Sequence, residues 1–159
     1  MINSELILNW ILAAVFSLIA SSAFAVIFHA PKKEIIPAGI CGSVGWIVYV
    51  IFIHFNISTV WSSFFAAIVL AWISRIFSYL RKNPVTIYLI TGIFPLVPGL
   101  GIYRTGYSLF MNENRAVTLN LGLETIEIAI AISLGLGLVL SLPAVLFFGK
   151  RHWKAGGRK

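Results

Sequence analysis

Four helix-breaking residues lie close together between positions 95 and 101: Pro95, Pro98, Gly99 and Gly101. Proline lacks a backbone N–H group and clashes with the preceding helical turn, so this stretch cannot form one regular helix. Within a membrane, the backbone groups freed at such a break must line a cavity or be satisfied by other protein groups. The helix that resumes after the break begins with N–H groups of partial positive charge, which are suited to binding an anion.

Two side chains that follow the break extend this chemistry. Tyr103 and Arg104 lie near the start of the resumed helix, and a guanidinium beside free N–H groups is a good receptor for a carboxylate. Membrane transporters use broken helices of this kind to bind substrates. We therefore predict that the break, Tyr103 and Arg104 form a substrate-binding and translocation site for a small carboxylate-bearing molecule. The alternative is a packing kink, with Arg104 extending to the membrane interface.

A second candidate group consists of Glu124 and Glu127, whose i, i+3 spacing places them on neighbouring positions of one helix face. Carboxylates within membrane spans are costly and often mark ion or proton pathways. One of the two could bind and release a proton during transport, whereas at the membrane boundary both would simply be solvated. Because the last apolar region has residues to spare, the sequence leaves these alternatives open.

Small residues at regular spacing predict where helices pack closely. Gly39, Gly42 and Gly45 recur at every third position of one apolar stretch, and small residues let helix backbones approach each other in a membrane. A four-residue repeat in the first apolar stretch has the same character, formed by Ala13, Ser17, Ser21 and Ala25. We predict that both are helix-packing faces.

These groups must be positioned by a protein that lies in lipid. Of the 159 residues, 59% are hydrophobic and 11% are charged, whereas soluble domains carry about 25% charged residues. The formal net charge is +7, but the basic residues flank apolar stretches, which is typical of membrane topology signals rather than of a nucleic-acid-binding surface. We expect a single transmembrane domain over residues 1–159, the lipid bilayer as its solvent, and no nucleic-acid partner.

The lengths of the apolar stretches predict an all-α integral membrane protein with about five transmembrane helices, the fourth broken by the Pro/Gly segment. A spanning helix needs about 20 apolar residues. The predicted spans are about 6–29, 36–54, 58–79, 85–111 with a break near 95–101, and 118–148. The alternative is a four-span arrangement in which the fourth segment is re-entrant.

Basic residues predict the orientation of these spans. Cytoplasmic loops are enriched in lysine and arginine, and most of these residues fall in three clusters. The clusters are Lys32 and Lys33; Arg75, Arg81 and Lys82; and Lys150, Arg151, Lys154, Arg158 and Lys159. We therefore expect the N-terminus outside and a basic cytoplasmic tail over residues 149–159.

No spacing typical of an enzyme or a metal site is present. The sequence contains no aspartate, and Cys41 is its one cysteine, so neither a Ser-His-Asp set nor a cysteine metal cluster can form. We expect no catalytic activity, no metal and no cofactor.

Several stretches of the sequence resemble the threonine/serine exporter family, in the form of its small, separate membrane subunit. In chain order they are AVIFHAP at 25–31, GSVGW at 42–46, IFPLVPG at 93–99 followed by Tyr103, and residues 134–143 running into the basic tail. The resemblance covers nearly the whole length, and the proline-glycine stretch with the following tyrosine is its most specific part.

This resemblance implies a gradient-driven exporter of small amino acids such as threonine and serine, or of dicarboxylates such as succinate, in the bacterial inner membrane. In the family, the compact membrane unit works with a larger unit that carries its own spans and a soluble domain. A larger membrane subunit is therefore the implied partner. Because five short helices leave little room for a pathway, a homo-oligomer is a further expectation. The alternative functions are a membrane assembly protein that transports nothing and a small channel.

Overall fold

The computed structural model describes residues 4–111 and 114–143, and this part of the chain is helical and contains no strand. Its helices are α1 (Ser4–Ile27), α2 (Ile35–His54), α3 (Thr59–Arg81), α4 (Val85–Ile93), α5 (Gly99–Phe110) and α6 (Arg115–Ser141). Short 3₁₀ turns at Lys32–Glu34 and Phe94–Leu96 precede α2 and follow α4. The predicted all-helical class is confirmed. The basic tail at 149–159 and the end of the last predicted span lie outside the described residues.

Four of these helices, α1, α2, α3 and α6, are long and apolar enough to cross a membrane. The segment from α4 to α5 passes the same test only as a pair that bends by 50° at the Pro/Gly break, so the described residues hold four spans, or five if this pair is one broken span and not a re-entrant loop. The chain is therefore a multi-pass membrane protein with a broken fourth segment, as the sequence predicts.

The connections between helices define two ends of the bundle. The α1–α2 and α3–α4 connections meet at one end, where Arg81 Nη1 lies 3.3 Å from Glu34 Oε1. We call this the basic end, because Lys32, Lys33 and Lys82 are also there, and we call the end with the α2–α3 connection the opposite end.

Helix α6 runs parallel to α3. The first turn of α3 lies beside Glu127, and the guanidinium of Arg75 donates to the carbonyl oxygens of Val139 and Leu142, both at 2.7 Å. These bonds tie the end of α6 to α3, and the Val139 carbonyl also accepts from the Leu142 N–H at 3.3 Å. Since α6 begins at the opposite end while α4 begins at the basic end, α4 and α5 together carry the chain along the full bundle.

Glycines set the close crossings around α2, which packs on α1, α3 and α4. A Cβ atom on Gly42 would lie 1.9 Å from Ser21 Oγ and 3.1 Å from Gly92 Cα, and one on Gly39 would lie 3.0 Å from the Leu18 carbonyl oxygen. Helices that approach this closely gain van der Waals contact, which drives association in lipid. The buried positions of α2 lie between Pro37 and Gly45, in its half nearer the basic end.

Candidate functional site

The break between α4 and α5 is a short irregular segment centred on Pro98. Val97 is extended and Pro98 adopts φ −75°, ψ 57°, outside the helical region. The Gly99 N–H donates to the Val97 carbonyl at 2.7 Å, which closes a tight turn around Pro98. Proline itself has no N–H to donate, so the regular hydrogen-bond pattern of α4 ends here and α5 departs at 50°.

A cavity of about 210 Å³ lies against this break. Its walls include Trp46 and Tyr49 of α2, Ser63 of α3 and Ile128 of α6, with the segment from Pro95 to Leu100 along one side. The rings of Trp46 and Tyr49 stack with their centres 5.0 Å apart. Pockets for drug-sized ligands usually measure about 300–1,000 Å³, so this cavity suits a smaller molecule.

The start of α5 supplies polarised donors next to the cavity. Within the described part of the chain, the backbone N–H groups of Leu100 and Gly101 donate to no backbone carbonyl. The first amides of a helix lack partners for geometric reasons and carry partial positive charge. Leu100 also lines the cavity, so a carboxylate could bind at this edge.

Two charged side chains lie one turn further from the basic end than the cavity. Arg104 follows the cavity residue Leu100 by four positions on α5, and Glu124 precedes the cavity residue Ile128 by four positions on α6. Residues four positions apart share a helix face, and Glu124 is near enough to Tyr49 for its charge to act on the phenol group.

The antiparallel contact of α5 with α6 brings together the two helices that carry these charges. A Cβ atom on Gly101 would lie 2.5 Å from Thr125 Oγ1, and the buried hydroxyls of Ser108 and Thr118 lie 2.6 Å apart. Arg104 and Glu124 are both exposed, and in the described residues neither forms an ion pair. One cationic and one anionic side chain therefore lie one helical turn from residues that line the cavity, on two helices in contact.

The other predicted site residues have different surroundings. Tyr103 is 66% exposed and its ring stacks on Tyr107, with centres 6.1 Å apart. No atom lies within 4 Å of a Cβ built on Gly99, whereas Gly101 packs against α6. Glu127 lies on another face of α6, where it lines an apolar groove with Trp61 and Phe64 of α3.

Sequence reasoning missed two sets of residues. Trp46 and Tyr49 line the cavity, and their spacing of three on α2 is the only signal the sequence offers. Glu34, at the basic end, is 6% exposed and accepts a 2.6 Å hydrogen bond from the hydroxyl of Tyr88. It lies in a short polar loop with two lysines, and only long-range packing buries it.

Similarity to known proteins extends over most of the chain. A family model described as threonine/serine exporter, ThrE, matches residues 13–142. A curated protein of Haemophilus influenzae, described as uncharacterized, is 24% identical over 94 residues, which are 59% of this chain and 32% of that protein. The match thus spans about a third of the length of this relative. No solved structure matches the chain.

Proposed function

Because this chain belongs to the threonine/serine exporter family, we propose that it is the membrane subunit of an exporter of small amino acids and that it works with a larger subunit. Membership of this family makes it a component of a transporter. The cargo, the partner and the driving force are what we propose in addition.

The observation that carries the choice of cargo is the pair of opposite charges beside the cavity at the break. The first amides of α5 and Arg104 suit the carboxylate of a free amino acid, since charge-assisted hydrogen bonds are the strong ones. Glu124, on the neighbouring helix, suits the α-ammonium group. A cavity of about 210 Å³ leaves room only for a small side chain such as that of threonine or serine.

The same arrangement argues against a dicarboxylate such as succinate. A dicarboxylate would bring its second negative charge close to Glu124, and like charges at short range repel each other. With one cationic and one anionic side chain each one helical turn from a residue that lines the cavity, a zwitterion has the complementary charge distribution. We therefore place amino acids ahead of dicarboxylates as cargo.

A larger subunit of the same family is the proposed partner, and a homo-oligomer is the second candidate. The relative from Haemophilus influenzae is longer than the matched region, so such membrane units occur within larger chains. Helix α5 packs chiefly on α6 and leaves Phe110 89% exposed, which provides an apolar face for lipid or for another subunit. Transport would be driven by a proton or ion gradient across a bacterial inner membrane.

Efflux of labelled threonine, serine and succinate from cells that lack their own exporters tests this proposal. The chain is expressed alone and then with the larger family subunit. We expect saturable threonine or serine efflux only from the pair, and its loss when an uncoupler collapses the gradient. Flux that neither saturates nor responds to the gradient would instead indicate a channel. No efflux with both proteins present in the membrane would support the assembly protein.

Variants of Arg104 link this transport to the site. Arg104→Ala should abolish efflux without reducing the amount of protein in the membrane, because the carboxylate loses its charged donor. Arg104→Lys keeps the charge but loses the planar donor pair, and it should retain part of the activity. Normal efflux by Arg104→Ala would remove Arg104 from the site.

A further inference from the structure

A buried carboxylate at the basic end joins three parts of the bundle. Glu34, in the turn before α2, is 6% exposed. Its Oε2 accepts a 2.6 Å hydrogen bond from Tyr88 of α4, and its Oε1 lies 3.3 Å from Nη1 of Arg81 at the end of α3. The same Arg81 nitrogen also donates to the Lys33 carbonyl at 3.4 Å. We call these three residues, Glu34, Arg81 and Tyr88, the Glu34 cluster.

The polar and charged groups around the cluster are few. The amide of Asn83 donates to the Tyr88 hydroxyl at 3.4 Å, and Lys32, Lys33 and Lys82 are exposed to solvent beside it. His29, at the end of α1, lines a cavity of about 270 Å³ with Pro31, Thr86 and Thr91. In the described part of the chain, the bond from Arg81 to Glu34 is the one ion pair between side chains.

Behind the Glu34 cluster the bundle is closed. Tyr88 is fully buried, as are Cys41 and Leu70 in the layer where α2, α3 and α4 meet. A Cβ atom on Gly92 would lie 2.6 Å from Leu70 Cδ1 and 3.2 Å from the Gly42 nitrogen. The cavity at the break lies on the far side of this layer, so passage toward the basic end requires α4 to move away from α2.

We propose that Glu34 is the group that binds the coupling proton, and that its ionised form holds α4 against α2 and α3 at the basic end. The proposal rests on the proposed transport function and adds the residue that couples it to protons. An ionised carboxylate in a buried site is stabilised only by its partners, here Arg81 and Tyr88. When one oxygen of Glu34 takes up a proton, the carboxylate becomes a neutral carboxylic acid. The attraction to Arg81 is then lost, and the hydrogen bond from Tyr88 of α4 no longer has a charged acceptor.

Glu34 suits this role better than the two carboxylates on α6. Glu124 and Glu127 are exposed, and in the described residues neither forms an ion pair or a hydrogen bond with a side chain. Protonation of such a group breaks no contact between helices. Protonation of Glu34 breaks the charged contact between the α1–α2 connection and α3, next to the helix that leads into the break.

Reaction of Cys41 with a maleimide reports whether the closed layer opens. Cys41 is the one cysteine of the chain and is fully buried, so it reacts only when the layer separates. The full chain is labelled in membrane vesicles at one fixed pH. We expect Glu34→Gln to react at least about fivefold faster than wild type, the lower end of typical coupling between sites. Glu127→Gln, which changes an equivalent but unpartnered carboxylate, should react at the wild-type rate.

A second variant keeps this test decisive if the first one does not fold. If Glu34→Gln does not accumulate in the membrane, Arg81→Gln replaces it, because Arg81 is 40% exposed and its loss leaves the bond between Glu34 and Tyr88 in place. Arg81→Gln should also accelerate labelling. Equal labelling rates in wild type and in whichever of the two variants accumulates would overturn the role of Glu34 in closing the layer.

Proton dependence is measured as the labelling rate of Cys41 at several pH values. Each rate is divided by the rate of the denatured chain at the same pH, because the fraction of reactive thiolate itself rises with pH. Acidification should accelerate labelling of wild type and of His29→Gln, and it should leave Glu34→Gln unchanged. A response that persists in Glu34→Gln would assign the proton to another group. Because labelling needs no cargo, this result is independent of whether threonine efflux is found.

Discussion

At the scale of single residues, the site is defined by two charges that do not meet. Arg104 and Glu124 extend from neighbouring helices one turn beyond the cavity, and no ion pair joins them in the described part of the chain. Had they paired directly, each would have satisfied the other and a ligand would have had to compete. Under the proposed function, two separate charges are left to bind the two ends of a zwitterion.

Replacement of Glu124 by glutamine should therefore weaken amino-acid transport selectively. Hydrogen bonds to charged groups contribute about 1.5–3 kcal/mol, so KM for threonine should rise by roughly 10- to 100-fold. Transport of succinate, if measurable, should improve because the repelling charge is gone. Saturation curves from the reconstituted chain with its partner provide the measurement.

Glu127→Gln is the matched control for this prediction. Glu127 lies three positions further along α6 and faces the groove with Trp61 and Phe64 instead of the cavity. Its replacement should leave KM for threonine unchanged. An equal loss in both variants would show that the effect comes from the charge of α6 in general, and that Glu124 has no specific role.

At the scale of helices, glycine crossings decide how closely α1, α2 and α4 can pack. Gly42 contributes to two crossings at once, because a Cβ atom there would meet Ser21 of α1 and Gly92 of α4. The Ser21 hydroxyl is buried and has no hydrogen-bond partner among the described groups. It occupies the space that the missing side chain leaves.

Gly42→Ala should destabilise the bundle by about 1–3 kcal/mol, the usual cost of overpacking. A titration with denaturant in detergent micelles measures the change. Gly137→Ala is the control, since nothing lies within 4 Å of a Cβ at that position, and its effect should stay within about 0.5 kcal/mol. Adding Ser21→Gly to Gly42→Ala should restore part of the loss, because the two side chains share one space.

Pro98→Ala tests whether the break itself is needed. Alanine restores an N–H group and favours helix, so α4 could continue straight into α5 and fill the cavity. We expect export to fall strongly while the protein still accumulates in the membrane. Gly106→Ala is the control and should be tolerated, because a Cβ there meets nothing within 4 Å and Gly106 does not line the cavity. Normal export by Pro98→Ala would favour the assembly protein.

At the scale of the whole molecule, the two ends of the bundle differ. The half near the basic end is closed by glycine crossings and by the Glu34 cluster, whereas the half near the opposite end contains the cavity at the break. If the basic end faces the cytoplasm, this is a form of the protein closed toward the cytoplasm. Alternating access would then require the layer around Cys41 to open.

Reporter fusions test that orientation. We expect an N-terminal reporter to be active outside, and a C-terminal reporter to be active in the cytoplasm, because the lysines and arginines gather at the basic end. A reporter inserted between Met111 and Asn114 should lie outside, since α4 and α5 together carry the chain between the two ends. A cytoplasmic signal at that position would instead require the re-entrant arrangement.

The all-helical membrane class and the break in the fourth segment are both predictable from local stretches of sequence. Both follow from local chemistry: a long uncharged stretch must satisfy its backbone hydrogen bonds internally as helix, and Pro98 cannot continue a helix whatever surrounds it. The family resemblance also depends on one short stretch, the prolines and glycines with the tyrosine that follows them. Arg104 and Glu124 were identified one at a time, as charges that apolar stretches rarely contain.

Which helices meet could be learned only from the folded chain. Gly101 lets α5 approach Thr125 of α6, the helix that carries Glu124, and no feature of either segment alone predicts that contact. Glu34 lies in a polar loop by sequence, yet folding places it against Tyr88, far along the chain. Proximity between distant segments depends on how side-chain volumes fit across every crossing at once, and that information is spread over the whole chain.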